Sequence, residues 1–151
     1  MKISANPKIS VIMSVFNGMP YLKESVNSIL NQTYKNFEFI IVNDASIDGT
    51  LKYLKSLKDK RIKIINNPKN LGLALSLNKA IKQSKGAYIA RMDADDVSYP
   101  NRLEIQLNFL IQHPNIDLCG SWVTLINNDG KEVGIHKKNP LGSEKIKKML
   151  G

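Results

Sequence analysis

Little in this 151-residue chain suits thiol or redox chemistry: it has one cysteine, two histidines and one tryptophan. A single cysteine, Cys119, excludes an intramolecular disulfide and any multi-cysteine metal site. Its apolar setting, between Ile116 and Leu125, predicts a buried small hydrophobe and not a nucleophile. His113, ahead of Pro114, and His136 have no neighbour at metal-ligand spacing and read as surface or capping residues, while Trp122 reads as packing on a core or sheet face. Long apolar runs are missing too. The best, Ile9 to Phe16, is interrupted by Ser10 and Ser14 and falls far short of the ~20 residues of a membrane span, and the N-terminus lacks the apolar centre of a signal peptide. The expected location is therefore cytoplasmic. There is no Gly-x-Gly-x-x-Gly after the first apolar run and no Gly-Lys-Ser/Thr anywhere, which weighs against both dinucleotide oxidoreductases and phosphate-loop NTPases.

What is present suffices for one domain, 1–151, with a sizeable core: 42% of residues are hydrophobic. The formal net charge of +9 favours anionic partners without choosing among them. Lysines are scattered, with a mild concentration from Lys131 to Lys148, and no arginine-rich or aromatic-interleaved run stands out. A solvated lysine surface is the expectation, and no nucleic acid is expected as a partner.

Apolar runs alternate with helical patterns. Ile9 to Phe16 is a near-continuous strand pattern, and Pro20 opens a helix over Tyr21 to Thr33 with the stripe Leu22, Val26, Ile29 and Leu30. Phe37 to Val42 predicts a second strand, followed by a helix beginning between Ser46 and Thr50 that carries Leu51, Leu54 and Leu57. Ile62 to Ile65 predicts a third strand. A helix after Gly72 places Leu73, Leu77, Ala80 and Ile81 on one face and stops at Gly86. Ala87 to Met92 predicts a fourth strand, and a helix beyond Pro100 carries Leu103, Leu107, Leu110 and Ile111. Leu118 to Leu125 then forms a hairpin with Lys131 to His136 across Asn128-Asp129-Gly130, and Ser143 caps a last short helix. Four such alternations predict an α/β fold with a mostly parallel, doubly wound sheet and an appended antiparallel hairpin.

In such sheets ligands bind at the carboxyl ends of the strands, which gathers Ser14 to Gly18, Asn43 to Ser46 and Asp93 to Asp96 on one edge. Asp93-Ala94-Asp95-Asp96 cannot be core, because burying unpaired carboxylates costs several kcal/mol, roughly. It is either an acidic turn capping the next helix or a cation site, in which Asp95 assisted by Asp93 holds Mg2+ or Mn2+ against a substrate's phosphates. Asp44 suits either a hydrogen bond from a base or ribose, or a helix-capping turn. Phe16 either stacks on a base or joins the core; Arg91 pairs with an acid or a phosphate, or is solvated.

Taken in order, Ser10 to Asn17, Ser28 to Tyr34, Val42 to Thr50, Asn70-Leu71-Gly72, and Asp93 to Asp96 with Pro100-Asn101-Arg102-Leu103 resemble the nucleotide-binding half of family 2 glycosyltransferases. The resemblance implies a Rossmann-like GT-A fold and an inverting, metal-assisted transfer from a nucleotide-diphospho-sugar to an acceptor hydroxyl, with carbohydrate or lipid-linked acceptors. It implies donor contacts at Ser14, Phe16, Asn17, Asp44, Asp93, Ala94 and Asp95, metal contacts at Asp95 and Asp93, and a variable role for Asp96, with Arg91 secondary. Phe16 stands where a tyrosine is common, Asn43 where an aspartate is, and Leu77 where an arginine is. No later Glu-Asp motif follows Asp96, so the catalytic base and acceptor half are expected beyond Gly151. A non-catalytic module of the same fold is the alternative; a peripheral contact with the inner face of the membrane and self-association both remain open.

Overall fold

The structure, a computed structural model, describes residues 8–136. The chain divides into two compact units, Met1–Gln112 and His113–Gly151. In the first, β1 (Ile9–Val15), β2 (Phe37–Asn43), β3 (Ile62–Asn66) and β4 (Tyr88–Arg91) form one sheet in the order β3-β2-β1-β4. Every neighbouring pair is parallel. The connections are α1 (Leu22–Leu30), α2 (Thr50–Ser56) and α3 (Leu73–Gln83), with α4 (Arg102–Gln112) after β4.

Strand periodicity sorts the core into two layers. Val11, Met13 and Val15 of β1 and Phe37, Phe39 and Ile41 of β2 pack with Leu22, Val26 and Ile29 of α1, Leu54 of α2, and Leu103 and Leu107 of α4. Ile12, Ile40 and Val42 point the other way and meet Ala80 and Leu77 of α3. Both faces of β1 and β2 are thus covered, which is why those strands read as continuous apolar runs. Because all four strands run the same way, their carboxyl ends share one edge.

The stripe expected on α3 is buried only in part: Ala80 is core and Leu77 packs against it. Leu73 and Ile81 are about half exposed, and the buried residues are Ser76 and Ala80. Ser76 takes a place on the buried face beside Ala80, where Asn67 donates to its hydroxyl. The second unit contains β5 (Val123–Ile126) paired antiparallel with β6 (Glu132–His136). Among the described residues strand pairing starts at Val123, opposite His136, five residues later than the expected Leu118. Cys119 is only partly buried, not the buried hydrophobe expected, and Trp122 is half exposed, which removes the core alternative for it. The helix expected at Ser143 lies outside the described residues. No helix among the described residues is long and apolar enough to cross a membrane.

One glycine ties β4 to β1. Gly86 donates its N–H to Ser10 Oγ at 2.8 Å, and a Cβ there would lie 2.4 Å from Ser10 N and 2.6 Å from Ile9 C, both rigid strand backbone. Gly86→Ala is expected to destabilise the fold by about 1–3 kcal/mol. Urea unfolding would show this as a lower midpoint at unchanged slope.

Candidate functional site

The loops after β1 and β2 are laced together. Asn17 sits at φ +52°, a left-handed conformation that asparagine tolerates better than most residues. Its Oδ1 accepts the Ile47 N–H at 2.9 Å, and its own N–H donates to Ser46 Oγ at 2.9 Å. Gly18 N–H donates to Thr50 Oγ1 at 2.9 Å and Met19 N–H to Asp48 Oδ2 at 3.2 Å, while Asp48 Oδ1 accepts the Thr50 N–H. Phe16 is 49% exposed at this rim, so it is not core, and Ser14 is partly buried one turn of the pleat below. Asn43 uses both halves of its amide: Nδ2 donates to Asn66 Oδ1 and Oδ1 accepts the Ser46 N–H. An aspartate could not donate the first of these.

Asp44 is 2% exposed, yet its carboxyl titrates below the ordinary carboxylate range. Burial pushes it up; hydrogen bonds from Asn67, Leu71, Gly72 and Ser76 together push it further down. Oδ1 accepts from Asn67 Nδ2 at 2.7 Å and Leu71 N–H at 2.9 Å, and Oδ2 from Gly72 N–H at 2.8 Å. Gly72 needs its φ of +84° to present that N–H immediately before α3 begins. Asn67 Nδ2 also donates to Ser76 Oγ, and Lys79 Nζ donates to Asn67 Oδ1. Asp44 therefore caps nothing on α2. It pins the Asn67–Gly72 loop and the start of α3 to the end of β2.

The acidic loop leaves β4 on a frame supplied by α1 and Arg102. Ser25 Oγ donates to the Asp93 carbonyl at 2.9 Å, and the Ser98 N–H donates to Ser28 Oγ at 3.0 Å. Gln32, fully buried, donates to the Tyr99 carbonyl and accepts the Leu103 N–H. The Arg102 guanidinium donates to the Arg91 carbonyl at 2.6 Å. Ala94 packs against the core and Asp95 faces solvent, while Asp96 is exposed as a residue but has its carboxyl partly withdrawn from water. Arg91 grips Asp93 with two nitrogens, Nη2 reaching both carboxylate oxygens at 2.8 and 3.0 Å and Nε one at 3.1 Å. Desolvation, then the charges of Asp93 and Asp95, hold the Asp96 carboxyl above its usual range, against the pull of Arg102 and Arg91.

Ser14, Phe16, Asn17, Asp44, Arg91, Asp93, Ala94, Asp95 and Asp96 thus lie at the carboxyl-end edge of one sheet. Among the described residues no three His, Cys, Asp or Glu side chains converge on a common metal position. A magnesium-type site does not require that, since one or two carboxylates plus substrate phosphates suffice. Asp95 is open for such a role, and Asp93 already faces a cation, the Arg91 guanidinium. The sequence assigned no site role to Ser25, Ser28, Gln32, Asn67, Ser76 or Arg102, although Ser28, Gln32 and Arg102 lie in stretches that carry the family resemblance. The available signal was the Ser25-Ser28-Gln32 spacing, which sets Ser25 and Ser28 one turn apart on α1 and Gln32 just past its end.

The family model for glycosyl transferase family 2 matches residues 10–150. An uncharacterized glycosyltransferase of Methanocaldococcus jannaschii is 42% identical over 149 residues, covering 95% of this chain and 51% of that protein. The crystal structure of S. aureus TarS residues 1–349 in complex with UDP-GlcNAc superposes with a TM-score of 0.67 at 30% identity, over 71% of this chain and 32% of that one. The mannosyltransferase PcManGT of Pyrobaculum calidifontis, in complex with GDP-Man and Mn2+, shares the fold with a TM-score of 0.61 at 23% identity, over 83% of this chain and 37% of that one. The chain spans about half the length, or less, of the curated relatives it matches.

A folded-state carboxyl pKa below the unfolded value stabilises the protein above pH ~4 and loses that contribution as pH falls through the depressed value. Asp44→Asn is therefore expected to cost about 1–3 kcal/mol at pH 7. The gap from wild type should narrow below pH ~4, as read by urea midpoints from pH 7 to pH 3. Gln32→Ala leaves the buried Leu103 N–H without its acceptor and should lower stability by about 1–3 kcal/mol. It should also broaden amide NMR signals of residues 93–100, while those of residues 17–18 and 46–50 stay put.

Proposed function

Because this chain belongs to glycosyl transferase family 2 and carries its GT-A fold, we propose that it forms the donor half of an inverting transferase that moves a sugar from a nucleotide diphosphate to an acceptor hydroxyl. The observation that carries the reading is the meeting of three loops, from β1, β2 and β4, on one hydrogen-bonded edge. TarS, the 30% identical neighbour, was crystallised with UDP-GlcNAc, which puts a UDP-sugar first among donors to test.

The base end lies between Phe16 and Asp44. Asp44 accepts from Asn67 and Leu71 at Oδ1 and from Gly72 at Oδ2, with the Ser76 hydroxyl a fourth donor to the carboxylate. A base N–H or a ribose hydroxyl that reaches Oδ2 meets a carboxylate whose resident bonds already hold it in place without reorganisation. Phe16 stacks on the ligand from the rim, with no hydroxyl to add a polar contact. Asn17, fixed by its left-handed backbone, keeps the first loop clear of this space, and Ser14 lines its floor.

The diphosphate end lies over Asp93 to Asp96. Asp95, with Asp93 assisting, would hold Mg2+ or Mn2+, and Ala94 keeps the turn between them short. When bound, that ion supplies Lewis-acid stabilisation to the departing diphosphate. The base that deprotonates the acceptor, and the acceptor-binding surface, are assigned to the further length that relatives possess. The donor reading keeps the protein in the cytoplasm, where a peripheral membrane contact would serve a lipid-linked acceptor.

A thermal-shift panel of UDP, GDP, dTDP and CDP, with and without manganese, tests this reading. Wild type should show a metal-dependent rise with one nucleotide, and Asp95→Ala should lose it. Absence of any rise across the panel would overturn the donor assignment.

A further inference from the structure

Arg91 is a cation already seated on one of the carboxylates that the donor reading assigns to metal. It lies two residues before Asp93 across the end of β4, where extended backbone sends both side chains the same way. Three donor–acceptor distances of 2.8 to 3.1 Å make the grip bidentate. Both side chains are about half exposed, 54% for Arg91 and 40% for Asp93, so parting them costs little. The main chain beneath them is held elsewhere: the Arg91 carbonyl by Arg102 and the Asp93 carbonyl by Ser25. The two side chains can therefore separate while the loop stays in place.

Resting on the donor-site reading, we propose that Arg91 is a resident counter-ion that yields Asp93 to the arriving divalent ion and is passed to the donor's diphosphate. A guanidinium presents the same planar pair of donors to a carboxylate or to a phosphate. A divalent ion on Asp93 repels it, and the diphosphate offers it the nearest new anion. Arg91 thereby couples the two ligands, opposing metal alone and favouring metal with nucleotide. Such coupling is a differential-affinity effect and must be reciprocal between the two ligands.

The test separates two affinities in one variant. Manganese alone is titrated by the electron paramagnetic resonance of the free ion. Next, whichever of UDP, GDP, dTDP and CDP gives the largest thermal shift is titrated calorimetrically at saturating manganese. Arg91→Met, which keeps the apolar stem and removes the charge, should tighten manganese about two- to five-fold, the scale of an exposed ion pair. The same variant should weaken the nucleotide by a similar factor or more. Arg91→Gln repeats the test if the methionine variant does not fold. In an Asp93→Asn background, Arg91→Met should no longer tighten manganese. Manganese affinity unchanged or weakened by Arg91→Met, in a wild type that binds manganese, would overturn the exchange while leaving the donor site standing. A wild type that binds neither manganese nor any of the four nucleotides, with Asp95→Ala indistinguishable from it, would instead remove the donor reading and the exchange with it.

Discussion

Asp44 is a buried carboxylate that stays charged because the chain brings it donors from far away in sequence. Taking such a group out of water costs several kcal/mol, roughly, unless its lone pairs are satisfied. The satisfaction comes from Asn67, Leu71 and Gly72, which lie beyond another helix and strand. Meeting that requirement fixes where the loop before α3 runs and how α3 is turned about its axis. Ser76 faces inward because Asn67 needs it, and Leu73 and Ile81 are left facing out. One electrostatic demand at a strand end thus shapes a whole layer of the unit.

The acidic loop is handled in the opposite manner. Its carboxylates remain near solvent, and the fold instead anchors its backbone, using neutral hydroxyls of α1, the Gln32 amide just beyond that helix and the charged fork of Arg102. Neutral anchors hold the loop without spending its negative charge. At one end of the site the carboxylate is consumed as scaffolding; at the other the scaffolding leaves carboxylates to spare.

Strands β1, β2 and β4, the edge they share and the acidic turn at its end were legible in the residues. Apolar runs of two-sided strands and clustered carboxylates depend on local composition, which a sequence states directly. On α3 the burial of Ala80 and the packing of Leu77 were legible, but the exposure of Leu73 and Ile81 and the burial of Ser76 were not, because an ordinary helical period does not register the Asp44 network that engages Ser76. Gln32 was missed for a related reason: a lone polar residue near a helix end is indistinguishable from a surface one until the loop that it bonds is in place. For Asp44 two roles stood open, and the structure adds a third that neither spacing nor turn chemistry suggests, the pinning of a distant loop.

The placing of β1 at the middle of the sheet bears on the order in which the edge is built. Ile9 pairs with Phe37 on one side and with Tyr88, near the far end of the unit, on the other. Pairing over so long a stretch of chain forms late, since the intervening loop must be closed first. During synthesis the loops tied by Asn17, Asp44 and Gly72 have all their partners while β4 has yet to emerge. The anion-bearing turn is added last, onto a half-site whose geometry is already set.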